Sequence, residues 1–217
     1  MTEPTAVRPL IVAIDGAAGS GKSTLARGLA EALGLPYVNT GLMYRALTRA
    51  ALDARVDLGD GAALAEVTRG LRVRIVGAPG ELEVEGFPVS VLHTSEVDAA
   101  VSRASRHPAV RELMREVQRV LAEGGAVIEG RDIGTVVRPD ADVKLFLRAD
   151  AGERRARRAR ERAEDPEAVA TALRARDSRD AKVNPLEPAP DAVTIDTSWG
   201  SPAETLQRAI AIVRSRR

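Results

Sequence analysis

The period of apolar and polar positions changes several times along this chain, and each change marks an element. Leu10 to Ile14 (L-I-V-A-I) is a continuous apolar run of strand length, the pattern of a strand buried on both faces of a parallel sheet. Leu25, Leu29 and Leu33 then recur at helical spacing until Gly34 and Pro36 end the helix. Pro36 to Thr40 (P-Y-V-N-T) is predicted as a short second strand, and Gly41 to Asp53 as a helix carrying Tyr44, Arg45 and Arg49. From Leu71 to His93 the period falls to two. L-R-V-R-I-V, E-L-E-V-E and F-P-V-S-V-L alternate, separated by G-A-P-G and by Gly86, which predicts a small inserted antiparallel sheet. Helical patterns resume over Ser95 to Arg106 and Pro108 to Glu123, with Pro108 suited to a first turn and Gly124-Gly125 to a stop. Ala126 to Glu129, Val143 to Leu147 and Asp191 to Thr197 are further short strands. The last of these precedes a helix that Ser201-Pro202-Ala203-Glu204 opens with a capping box. Strands alternating with helices predict a three-layer α/β core around a parallel sheet.

Between the first strand and the first helix stands D-G-A-A-G-S-G-K-S-T. Gly16, Gly19, Gly21, Lys22 and Ser23 include every fixed position of the G-x-x-x-x-G-K-[ST] phosphate-binding loop, in the strand-then-helix context that loop requires. Glycine allows positive φ and close approach of the backbone to a polyphosphate. Successive N–H groups from Gly16, Ala17, Ala18, Gly19, Ser20, Gly21, Lys22, Ser23 and Thr24 then form an anion nest backed by the helix N-terminus. Lys22 can reach the β- and γ-phosphates, and the Ser23 hydroxyl can ligate Mg²⁺. Asp15, directly before the loop, fits two roles equally: orienting Lys22 or metal-bound water, or anchoring the loop structurally.

Composition narrows the function classes. A formal net charge of +1 argues for no global attraction to nucleic acid or an anionic membrane. With aromatic residues at 2%, base-stacking platforms are not expected. No cysteine is present, so thiol nucleophiles and zinc–thiolate sites are excluded, and a reducing cytoplasm suits the chain. Residues Met1 to Arg8 carry no apolar leader core, and no stretch approaches the ~18 apolar residues of a membrane span.

The charge is unevenly placed. Seven arginines lie between Arg148 and Arg162, with alanines as nearly their only apolar company. Arg154, Arg157, Arg158, Glu161 and Arg162 share a helical face. Without a large apolar stripe such a helix is expected to be exposed and mobile, with a second charged helix from Glu167 to Asp180 after the Asp165-Pro166 break. A solvated charged face is the ordinary fate of such runs; beside a polyphosphate site, an arginine-rich lid is the alternative.

Four segments, in order, resemble the bacterial cytidylate kinase family among P-loop nucleoside monophosphate kinases. They are the loop itself, T-G-L-M-Y-R (Thr40 to Arg45), S-E-V-D-A-A-V-S-R-A-S-R-H-P-A-V-R (Ser95 to Arg111) and G-R-D-I-G-T-V-V-R-P-D-A (Gly130 to Ala141). The resemblance runs nearly end to end. It implies a P-loop NTPase fold with a helical and β-insert acceptor-binding lobe and an arginine-rich lid. Within a single domain over 1–217, the core is expected at about 8–40, 107–150 and 190–217, the lobe at about 41–106 and the lid at about 151–182.

The activity implied is transfer of the γ-phosphoryl group of ATP to CMP or dCMP with Mg²⁺, by a cytoplasmic monomer with no nucleic-acid or membrane partner. The loop would be the ATP-binding element, with Lys22 catalytic and Ser23 the metal ligand. By similarity Arg45 and Arg131 grip the acceptor α-phosphate, a task for planar guanidinium forks. Ser102, Arg111 and Asp132 match positions that read cytosine, whose N4 amino donor stands beside the N3 and O2 acceptors. Arg176 and Asp180 match positions meeting sugar and phosphate, and Thr40 and Tyr44 complete the acceptor set. Arg154, Arg157 and Arg158 match arginines of the lid, with Arg154, Arg158 and Arg131 in catalytic roles. Plainer roles stay open: Ser102 and Arg111 on a helix surface, Arg131 paired with Asp132, and Tyr44 filling core.

Two departures from the family pattern stand out. Val183 occupies the place of an arginine three residues after the Asp180-like aspartate, with Lys182 the nearest cation, and His93 replaces the arginine common near the end of the β-insert. Rival activities are a uridylate- or shikimate-directed kinase on the same fold, or a slow nucleotide-hydrolysing switch. The switch would lack a second, arginine-lined nucleotide pocket.

Overall fold

The computed structural model describes residues 8–162 and 186–216. Strand β1 (Ile11–Gly16) is buried at every position and lies between β5 (Ala126–Gly130) and β6 (Val143–Arg148), parallel to both. Beyond β5 come β2 (Tyr37–Asn39), β4 (Gly80–Val84) and β3 (Val73–Gly77), and beyond β6 comes β7 (Val193–Asp196). The order across the seven-stranded sheet is β3-β4-β2-β5-β1-β6-β7, with β3–β4 the antiparallel pair. The helices are α1 (Lys22–Leu33), α2 (Thr40–Asp53), α3 (Gly61–Gly70), α4 (Val89–Leu92), α5 (Ser95–Ala104), α6 (Pro108–Ala122), α7 (Ala151–Arg162) and α8 (Pro202–Ser215).

The unbroken apolar run of β1 has a direct cause: both faces of the sheet are covered. Leu10, Val12 and Ile14 enter one core, with α1 and α8. Ile11 and Ala13 enter the other, with α2, α3, α5 and α6. Period-two geometry sends alternate residues to opposite faces, so a strand with two cores needs no polar positions. These layers bear out the three-layer α/β expectation.

Local signals act as expected at several boundaries. Gly34 ends α1 with φ 65°. At α8 the Ser201 N–H donates to Glu204 Oε2 at 2.7 Å, and the Glu204 N–H donates to Ser201 Oγ at 3.2 Å. That completes the capping box with Pro202 in the first turn.

Three features depart from the sequence expectations. F-P-V-S-V-L is not a strand. Pro88 offers no N–H to a ladder and instead opens the one-turn helix α4, whose Leu92 is buried while Val89 and Val91 stay exposed. The β3–β4 hairpin is not a separate sheet either, because β4 joins β2 through Tyr37 opposite Glu81. Finally, α3, over a stretch the sequence reading leaves unassigned, forms from G-A-A-L-A-E-V-T-R-G with Leu64, Ala65 and Thr68 buried. Its start is fixed by Asp60, whose carboxylate accepts from the Ala62 and Ala63 N–H groups at 3.0 Å. Among the described residues, no helix is long and apolar enough to cross a membrane.

Candidate active site

The loop after β1 sits at the C-terminal edge of the sheet, where open parallel α/β sheets present ligand sites. Gly16 has φ 153°, and a Cβ there would lie 2.5 Å from the Leu147 carbonyl oxygen. Gly19 has φ 74°, and its Cβ would meet the Arg154 carbonyl oxygen at 3.0 Å. Both glycines are therefore demanded by the backbone itself. Lys22 Nζ folds back over the loop and donates to the Ala17 carbonyl at 2.8 Å. The Thr197 hydroxyl, just past β7, donates to the Ser20 carbonyl at 2.9 Å and ties the loop to the far side of the sheet.

Helix α7 lies against this loop. Arg154 Nη1 donates to the Ala18 carbonyl at 3.1 Å, and Arg157 donates to the Thr197 carbonyl and, at 3.4 Å, to its hydroxyl. The expectation of an exposed helix is corrected here: Arg154 and Arg157 are half-buried. A helix without an apolar stripe can still dock when guanidinium donors find carbonyl acceptors. Arg158 belongs to the same helix, whereas Arg176, Asp180, Lys182, Val183 and the predicted helix over Glu167 to Asp180 lie outside the described residues.

A cavity opens on one side of the loop. Gly19, Gly21, Lys22, Ser23 and Thr24 line it together with Thr40, Tyr44, Arg45, Ser102, Arg111, Arg131 and Asp132, which brings every described acceptor-side candidate to one place. His93, Gln118 and Glu129 line it as well. The Thr40 hydroxyl donates to the Glu129 carbonyl at 2.7 Å. Arg45, with its side chain 6% exposed, gives Nη1 to the Leu92 carbonyl at 2.9 Å and Nη2 to Asp98 Oδ1 at 2.6 Å.

Asp132 is held by two arginines of α6. Its Oδ2 accepts from Arg111 Nη2 at 2.7 Å and from Arg115 Nη2 at 3.1 Å. Near it, burial pushes the Tyr44 hydroxyl pKa up. Ser102 Oγ and Gln118 Nε2 are buried and find no hydrogen-bond partner among the described residues. Such atoms cost about 1–3 kcal/mol each when left unsatisfied, so a polar ligand at this corner would recover that cost. At the loop end of the same cavity Tyr37 donates to the buried Glu129 carboxylate, and Asn39 Nδ2 donates to the Tyr37 oxygen at 3.2 Å. Burial, followed by the Glu129 charge, pushes the Tyr37 pKa well up and keeps its proton in place.

Glu129, Arg115 and Gln118 are absent from the sequence-derived candidates. Arg115 and Gln118 follow Arg111 by four and seven residues on one helical face, and that spacing is the signal that could have found them. Glu129 ends the apolar strand just before G-R-D, which is a weaker signal. Asp15 turns both side-chain oxygens away from the loop itself, toward the backbone after Asp132. Its two oxygens accept the Ile133 and Gly134 N–H groups at 2.8 Å each, and burial raises its pKa to about 6.

A second cavity opens on the other side of the loop. Gly19, Ser20, Gly21 and Thr24 line it with Arg157 and Arg160 of α7 and with Thr197, Ser198 and Thr205 near the start of α8. One glycine-rich loop thus lines two pockets, and arginines line each of them as well.

The family model described as cytidylate kinase matches residues 12–215 of this chain. Proteins named cytidylate kinase are similar to it over nearly their whole length. The one from Mycobacterium avium (strain 104) is 44% identical across 95% of this chain and 96% of its own. That from Geobacillus kaustophilus (strain HTA426) is 43% identical, covering 96% and 98%. That from Granulibacter bethesdensis (strain ATCC BAA-1260 / CGDNIH1) is 45% identical, covering 94% and 97%. Among solved structures, a gluconokinase from Sinorhizobium meliloti 1021 aligns with TM-score 0.51 at 17% identity over 96% of this chain and 94% of that one. An uncharacterized protein from Eubacterium ventriosum ATCC 27560 aligns with TM-score 0.55 at 15% identity, covering 96% and 99%. At those identities the structural likeness speaks to the fold alone.

Proposed function

This chain belongs to the cytidylate kinase family, and from that premise we propose that it transfers the γ-phosphoryl group of ATP to CMP or dCMP, giving ADP and CDP or dCDP. The observation that carries the assignment of sites is the pair of cavities sharing one phosphate-binding loop. The donor phosphates lie on the N–H groups of Gly16 to Thr24, with the nucleoside of ATP in the cavity beside Arg157 and Thr197. The acceptor occupies the cavity lined by Arg45, Arg131 and Asp132.

Phosphoryl transfer asks for positioning and charge neutralisation more than covalent chemistry. Arg45 and Arg131 hold the acceptor α-phosphate, and Lys22, Arg154 and Arg158 balance the charge that develops on the transferring group. An acceptor phosphate held by arginines is a dianion already able to attack, so no separate general base is required. Arg176 and Asp180 complete the reading by meeting the acceptor's sugar and phosphate.

Asp132 reads the base. A carboxylate accepts from the N4 amino group of cytosine and is repelled by the O4 carbonyl that uracil presents there. Arg111, shared with Asp132, and Ser102 supply donors for N3 and O2, and Thr40 and Tyr44 shape the pocket around them.

Magnesium suits the donor set. The Ser23 hydroxyl and the Glu129 carboxylate, hard oxygen donors, line the same cavity as the loop. Among the described residues no cage of three or more His, Cys, Asp or Glu exists. A cage is not needed, since Mg²⁺ keeps several waters and takes most of its remaining ligands from phosphates. Ser23 would hold the ion, and when bound it would neutralise charge shared between the β- and γ-phosphates.

Calorimetric titration tests the two-site assignment. CMP and a non-hydrolysable ATP analogue should bind together, each at its own site, and Asp132→Ala should weaken only CMP. Mutually exclusive binding at one site would contradict it.

A further inference from the structure

The residues Ile133–Val137 form a single π-helical turn directly after Asp132. The first N–H groups of any helical turn lack partners inside it. Here they are Ile133 N and Gly134 N, and both donate to one carboxylate, that of Asp15, at 2.8 Å each. Later in the turn, Val136 N and Val137 N donate to the Asp132 carbonyl at 2.9 and 3.1 Å. Asp132 is therefore tied twice: its carbonyl closes the turn, and the two residues that follow it hang on Asp15.

Asp15 belongs to β1, one residue before the phosphate-binding loop begins, and it pairs in register with Gly130 of β5. It is 6% exposed, and both its oxygens are directed at the turn rather than consumed by the loop. The fit beneath the turn is close. A Cβ on Gly134 would stand 3.1 Å from Lys144 Cδ and 3.4 Å from Asp15 Oδ2.

We propose that Asp15 is a positioning residue for the acceptor nucleotide: the strand that delivers the donor loop also fixes, through one carboxylate, the Arg131-Asp132 corner that meets CMP. The inference rests on assigning that cavity to the acceptor. It makes the donor loop and the base-reading aspartate two ends of one rigid unit, so their separation is set by β1 and β5. A neutral amide at position 15 keeps one acceptor oxygen but turns an NH₂ donor toward a backbone N–H, which frees one side of the turn. Burial raises the carboxyl pKa only to about 6, so near pH 7.5 the ionised, doubly accepting form prevails.

Steady-state kinetics of the full chain at pH 7.5, varying CMP at saturating ATP and then the reverse, provide the test. In Asp15→Asn the KM for CMP should rise about tenfold or more, since small misplacements of a binding corner are expensive. The CMP-over-UMP ratio of kcat/KM should fall, while the KM for ATP stays within about twofold. Gly134→Ala leaves Asp15 in place and crowds the turn against Lys144 Cδ, 3.1 Å from the added Cβ, so it should move the same parameters in the same direction. Should Asp15→Asn fail to fold, that variant decides by the same split. An unchanged KM for CMP, or a rise for ATP as large as for CMP, overturns the inference. A wild-type enzyme that does not phosphorylate CMP overturns the functional assignment first, and the inference with it.

Discussion

Lys22 illustrates how much one residue type at one spacing can say. Its ammonium already arches over the loop to the Ala17 carbonyl, where donor phosphates would bring it into contact with the transferring group. Replacing it with alanine should lower kcat by about 10²–10³, the usual cost of removing one preorganised charge. Far-UV circular dichroism and the melting temperature should stay near wild type, because the half-exposed side chain supports no core. Asp132→Ala should cut kcat/KM for CMP far more than for UMP, whereas an equal loss for both would mean that the side chain is structural.

Asp15 adds a pH dependence to the stability. Its folded pKa is raised from 3.8 to about 6. Below about pH 4 both folded and unfolded chains carry the proton; between about 4 and 6 the folded state holds it more tightly. Stability from this group is therefore present at low pH and lost as pH rises through about 6, by about 3 kcal/mol in all. Urea unfolding of wild type and Asp15→Asn at pH 4 and pH 7 should show the wild-type advantage shrinking by that order. A constant difference would mean that the carboxyl titrates normally.

At this scale the loop was legible because its chemistry is local: consecutive N–H groups, two demanded glycines and a lysine. Arg115 and Gln118 carry only the weak signal of sharing a helical face with Arg111, and Glu129 carries less, because each acts only after α6 and β5 have been packed beside α2. The second partner of Asp132 is a tertiary fact.

Among elements, those with strong periods or explicit caps were readable in advance. The capping box of α8 formed as its four residues imply, and Ser201→Ala should cost about 0.5–2 kcal/mol, measured by urea unfolding. Helix α1 carries its stripe inward, and Leu29 is wholly buried against the sheet. Leu29→Ala should cost about 2–5 kcal/mol by the same measurement. Where the signals were mixed, tertiary context won. Pro88 turned an alternating hexapeptide into a helical turn, and the alanine-rich α3 relied on the Asp60 cap and on packing against α6. The turn after Asp132 has no sequence period of its own, since its first N–H groups are satisfied by Asp15, more than a hundred residues earlier. Helix α7 was expected to be exposed, as a solvated face or a lid, for a related reason: its anchors are mostly backbone carbonyls, which no side-chain pattern reveals.

For the whole molecule, alternation of strands and helices announced a parallel sheet but not its order. That order matters to function. It sets β1 between β5 and β6, so the loop emerges mid-sheet with room for one cavity toward α2, α5 and α6 and another toward α7 and α8. A loop at the sheet edge would have a single neighbour and a single pocket. On the proposed assignment, the two-sided placement lets one strand end serve donor and acceptor together, and the family to which the chain belongs gives the acceptor its name.

Initial rates with ATP and each of CMP, dCMP, UMP and AMP test the central claim most directly. CMP and dCMP should exceed UMP and AMP in kcat/KM by at least about tenfold, because in the proposed role of Asp132 a buried carboxylate that accepts from N4 penalises a carbonyl in its place. UMP or AMP outpacing both cytidine nucleotides would contradict the account.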